Sequence, residues 1–144
     1  MNVFDILGPV MIGPSSSHTA GAARIGRIAR TLLGTEPVKA DILLHGSFAK
    51  TYKGHGTDKA LIAGIMGMHS DDERIRRSLE LARERGLAFS FREEDIPGAH
   101  PNTALLRLEG VSGRKLEVMG ASIGGGRINI CQIDGITTNF GGDH

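Results

Sequence analysis

The sequence predicts an α+β domain in which helices pack on a mainly antiparallel sheet. Three observations point there. Most apolar runs before residue 87 recur at helical spacing, with capping residues ahead and glycines behind. From Leu87 onward the apolar period falls to two. Gly110-Val111-Ser112-Gly113 then separates two alternating segments, which is a hairpin signal. Helices early and strands late favour a layered α+β arrangement.

The elements follow in order. Residues 1–16 read as an extended, turn-rich lead-in, broken at Gly13-Pro14, and Ser15, Ser16 and Ser17 offer N-caps. A helix is predicted from about His18 to Leu33, with Ala22, Ile25, Ile28, Ala29 and Leu32 as its apolar stripe and Gly34 as its stop. Val38, Ala40, Ile42 and Leu44 alternate as a strand. Ser47 to Lys53 reads as a short helix stopped by Gly54. Thr57 starts the next, running to about Met68, apolar around most of its circumference and so buried. Ser70 and Glu73 have capping-box spacing ahead of Ile75, Leu79 and Ala82, and Gly86 follows the end. Strands are then predicted at Leu87–Phe91, Ala104–Leu108, Leu116–Gly120 and Arg127–Ile133. The 144 residues form a single expected domain, with no repeat and no linker.

Composition narrows the function. A formal net charge of +1 gives no electrostatic reason to expect nucleic acid. Five Phe, one Tyr and no Trp leave little for base stacking. No apolar run approaches the roughly 20 residues of a membrane span, and the N-terminus lacks a basic signal-peptide region, so the expected compartment is the cytoplasm. The single cysteine, Cys131, excludes an intrachain disulfide. It is also too few thiolates for an iron–sulfur cluster. Its place in a predicted strand reads as a small core residue.

Gly13 to Gly21 is the most informative stretch. Three serines, His18 and Thr19 crowd a helix start, where free N–H groups and the positive end of the dipole favour a carboxylate or phosphate. A serine-rich cap with one exposed histidine accounts for the same residues locally. Gly54-His55-Gly56-Thr57-Asp58 presents a histidine in a tight loop, either for proton transfer or as a simple turn residue. His100-Pro101-Asn102-Thr103 fixes two hydrogen-bonding side chains at a strand mouth. Gly124-Gly125-Gly126 either admits a ligand or a neighbouring subunit, or makes a bulge. A serine hydrolase is disfavoured because no G-x-S-x-G elbow is present. The spacing of His18, His45, His55 and His100 matches no compact zinc pattern, and His45 and His69 read as structural or solvent-facing.

FDILGPVMIGPSSSHTAGAARIGRIA, GHGTD, HPNT and GASIGGGRINI occur in the order seen in the β-chain of iron–sulfur L-serine dehydratases, and the chain resembles that family over essentially its whole length. It is also similar to the allosteric substrate-binding domain of D-3-phosphoglycerate dehydrogenases, which supports an α+β fold and small-anion binding. The first resemblance implies a lyase converting L-serine to pyruvate and ammonia, with a [4Fe–4S] cluster acting as Lewis acid and no pyridoxal phosphate. It implies that the cluster ligands belong to a partner α-chain, that this chain carries no metal ligand, and that it works in a homo- or hetero-oligomer. It implies His55 as the base, and Ser15, Ser16, Ser17, His18, Thr19, His100 and Asn102 as substrate-binding residues. Many two-chain relatives add an ACT regulatory domain, for which residues 1–144 hold no segment. Two other functions compete: a regulatory module for a small anion or amino acid, and a structural dimerisation domain. The polar motifs occurring together favour the lyase.

Overall fold

The computed structural model describes residues 17–50, 56–124 and 127–140. Helix α1, Ser17–Leu33, buries Ala22, Ala23, Ile25, Ala29 and Leu33 completely. Gly34, at φ 74°, ends it by donating its N–H to Arg30 O at 3.1 Å. Strand β1, Pro37–Gly46, leads into a helical turn at residues 47–50. Helix α2, Thr57–Ile65, is buried on every side, as its apolar circumference requires. It stops at Ile65 rather than Met68, yet Met66 and Met68 still bury in the turn that follows.

The next helix departs from expectation. Its cap is Asp72, not Ser70: Asp72 Oδ1 accepts the backbone N–H of Arg74 at 2.8 Å, and the two carboxylate oxygens take the Arg74 guanidinium at 3.0 and 2.7 Å. A carboxylate one residue from the first turn displaces the serine hydroxyl two residues further back. The helix opens as a 3₁₀ segment, Glu73–Arg77, and becomes α3 at Ser78–Glu84. Ser78 Oγ donates to Lys59 O at 2.6 Å and ties α3 to α2.

The strands β2 (Ala88–Glu93), β3 (Asn102–Gly110), β4 (Lys115–Gly124), β5 (Arg127–Ile133) and β6 (Ile136–Phe140) join β1 in one sheet of order β2-β1-β3-β4-β5-β6. Only β1–β2 is parallel, because the chain between them crosses back through the helices. The β3–β4 hairpin forms as its turn predicts. The β6 strand was not anticipated. It follows Asp134-Gly135, whose φ angles of 51° and 83° make the tight hairpin from β5.

The register stacks three apolar rows on one face: Ala40–Leu108–Leu116, Ile42–Leu106–Val118 and Leu44–Ala104–Gly120. Helix α1 lies over β3, β4 and β5 on that face, and α2 packs on α1. The opposite face is polar near one end, where Arg107 Nε meets Glu117 at 2.8 Å across β3–β4 and Ser90 Oγ donates to Asp41 at 2.8 Å.

Candidate active site

Helices α1 and α2 run side by side in the same direction. Gly56, at the start of α2, contacts Thr19 in the first turn of α1, while Gly64 at its end contacts Ala23 and Arg27. The approach at Gly64 is backbone against backbone. A Cβ there would stand 2.9 Å from Arg27 N and nearer still to Ala23 O. Both N-termini therefore reach the same end of the molecule, where their positive dipole ends add. Gly56 caps α2 at φ 83°, a conformation open to glycine, which has no side chain to make a cap hydrogen bond.

The same end of the sheet supplies polar side chains. Gly46 at the end of β1 pairs with Asn102 at the start of β3, and Ser122 near the end of β4 pairs with Ile128 of β5. Gly21 of α1 sits on Ser122: a Cβ at residue 21 would lie 2.8 Å from Ser122 Cβ and closer to its Oγ. Among the described residues, Asn102 Oδ1, Ser122 Oγ and Thr57 Oγ1 are buried without a hydrogen-bond partner. Each such atom is costly, by about 1–3 kcal/mol, unless something arrives to pair with it. Beside Thr57, burial raises the Asp58 carboxyl above the usual range, against the Lys59 N–H it accepts at 2.7 Å and the Lys59 charge.

His100 is fixed differently. Its Nδ1 accepts the Asn102 N–H at 3.0 Å, and its carbonyl accepts Thr103 Oγ1 at 2.7 Å. A neutral ring held this way carries its proton on Nε2. The side chain is exposed and lines an open cleft of about 390 Å³ with Thr103, Met119, Ala121, Asn129 and Cys131. Cys131 is thus half-buried on this cleft and is not the core residue its strand position suggested. Strand β5 turns that position away from the apolar rows. Its Sγ donates to Asn129 O at 3.6 Å, and burial pushes the thiol pKa up. His45 is structural, as expected: its Nδ1 accepts the Ile96 N–H at 3.0 Å and anchors the segment over the cleft.

Of the anticipated residues, Thr19 and Asn102 come to the end shared by the two helix starts. His100 adjoins Asn102 through the backbone. Ser15, Ser16 and His55 lie outside the described residues, although His55 precedes Gly56 directly; Ser17 and His18 begin α1, and their side chains are not described. Thr57 and Ser122 were not anticipated as site residues. Ser122 lay inside the GASIGGGRINI segment, whose glycines alone drew notice. Among the described residues, no three His, Cys, Asp or Glu side chains gather as a metal site. No described helix is long and apolar enough to cross a membrane.

The fold and this end define an α+β domain that offers two helix N-termini, hydroxyls and an amide to a small polar ligand. Residues 2–85 match the family described as serine dehydratase beta chain, and the chain belongs to that family. It is 52% identical over 143 residues to the probable L-serine dehydratase, beta chain, of Bacillus subtilis, covering 99% of this chain and 64% of the relative. It is 43% identical over 144 residues to the L-serine dehydratase, beta chain, of Peptoniphilus asaccharolyticus, covering 99% and 65%. A 73-residue stretch is 42% identical to L-serine dehydratase 2 of Escherichia coli, covering 46% of this chain and 16% of that one. The chain therefore spans a little under two thirds of the length of the first two relatives.

Proposed function

We propose that this chain is the β-subunit portion of an iron–sulfur L-serine ammonia-lyase, and that it supplies the base and the substrate-binding groups of a site shared with an α-chain. The observation that carries this reading is the convergence of the two parallel helix N-termini, with Thr19 against Gly56 and Asn102 on the adjoining strand. Segment Ser15–Thr19 and the start of α2 bind the substrate carboxylate through N–H groups and hydroxyls. His55, one residue before Gly56, takes the α-proton as a neutral imidazole. Asn102 orients the substrate on the α1 face; His100 would reach it from the strand mouth, since the cleft it lines with Thr103, Met119 and Ala121 lies on the other face of the sheet. Loss of the β-hydroxyl gives aminoacrylate, which tautomerises and hydrolyses to pyruvate and ammonia.

The residues of this chain do not fit the cluster itself. There is one cysteine, burial pushes its thiol pKa up, and it donates to a backbone carbonyl. Cluster ligation needs several thiolates. The [4Fe–4S] group is accordingly assigned to the α-chain partner. Co-expression of this chain with such a partner under anaerobic conditions, followed by a pyruvate assay on L-serine, tests the reading. Pyruvate from the pair and none from this chain alone is the expected result. Turnover by this chain alone, or none by an assembled, cluster-loaded pair, contradicts it.

A further inference from the structure

Ser122 Oγ and Asn102 Oδ1 are two buried oxygens with no hydrogen-bond partner among the described residues. The β3–β4 register pairs Thr103 with Ala121 and Ala104 with Gly120, so one further step sets Asn102 opposite Ser122. Strand alternation puts both on the face shared by Ala104 and Gly120, beneath α1. Gly21 confirms the location, since it touches the Ser122 side chain from the second turn of that helix. Ser122 is 1% exposed. The β4–β5 pairing slips between Ser122 and Gly124, a distortion of the kind that re-aims side chains at binding sites.

We infer that Ser122, together with Asn102, receives the α-ammonium group of the amino acid substrate. This rests on L-serine being the substrate, and it adds a residue to that site. An ammonium group has three donors and no acceptor; an amide oxygen and a hydroxyl oxygen supply the lone pairs it needs. The nearby helix ends have the opposite polarity and suit the carboxylate. The two ends of the amino acid are thereby told apart, and a hydroxy acid without the amine leaves Ser122 and Asn102 as they are in the free chain.

Ser122→Ala in the assembled α–β complex tests this against glycerate, which keeps the carboxylate and hydroxyls but lacks the amine. The KM for L-serine should rise roughly tenfold or more, the range for a hydrogen bond to a charged group. The inhibition constant of glycerate should change less than twofold. The Tm of the ligand-free complex should hold or rise, because the variant removes a buried hydroxyl that bonds nothing. An unchanged KM, or equal weakening of serine and glycerate with a lower Tm, overturns the inference by making Ser122 a packing residue. A wild-type complex that produces no pyruvate overturns the functional reading and this inference together. Normal wild-type turnover with unaltered discrimination in Ser122→Ala overturns this inference alone.

Discussion

The backbone of Gly64 in α2 rests directly on that of Ala23 in α1, and this contact sets the two helices parallel with their starts level. A methyl group at 64 meets backbone atoms on α1, which cannot swing aside as a side-chain tip can. Gly64→Ala should therefore destabilise the fold by about 3 kcal/mol, the upper part of the overpacking range. Urea denaturation reads the change directly. A loss below about 0.5 kcal/mol would mean that the helix spacing is not fixed by this contact.

Asp72 gives a pH-dependent test. Its hydrogen bonds from the Arg74 side chain and N–H lower its pKa from 3.8 to about 2. A carboxylate with a depressed folded-state pKa stabilises the fold above its unfolded value and loses that contribution as pH falls through the folded one. Asp72→Ala should cost about 1 kcal/mol at neutral pH, as loss of an N-cap does. The gap from the parent chain should close between pH 4 and pH 2. Thermal melts of both proteins across that range check it; a gap that persists at pH 2 contradicts the assignment.

Much of this was legible in the residues. Buried stripes such as Ile25–Ala29 and Ile42–Leu44 are dictated by periodicity, and α1, β1, α2 and the β3–β4 hairpin lie close to where that periodicity sets them. The Asp72 cap was missed because serine, aspartate and glutamate in one short stretch offer competing caps of similar strength. The β6 strand was missed although Asp134-Gly135 is a strong turn signal, since only five residues follow it in the strand. At the candidate site the two helix starts were readable, with Thr19 and Asn102 beside them, while Ser15, Ser16 and His55 lie outside the described residues. Ser122 was not readable, because its importance comes from Gly21 of α1, 101 residues earlier in the chain, and no local pattern encodes that contact.

Cys131 tests the proposed assignment of the cluster to the partner chain. Burial raises its pKa and its hydrogen engages Asn129 O, so it is a poor metal ligand. Cys131→Ala in the anaerobically assembled complex should leave iron and sulfide content unchanged and turnover within about twofold of the parent. Loss of a stoichiometric share of iron would place a cluster ligand on this chain.

In the proposed enzyme this chain brings the base. The most direct measurement is exchange of the α-proton of L-serine with deuterated solvent, read alongside pyruvate formation, in complexes carrying His55→Ala or His18→Ala. A positioned general base contributes roughly 10²- to 10⁴-fold. His55→Ala should lose exchange and turnover by that order, with the complex intact and serine still bound. His18→Ala should weaken serine binding and retain exchange at saturating substrate. Near-normal exchange and turnover in assembled His55→Ala, with both lost in His18→Ala, would contradict the account and pass the role of base to the histidine at the start of α1.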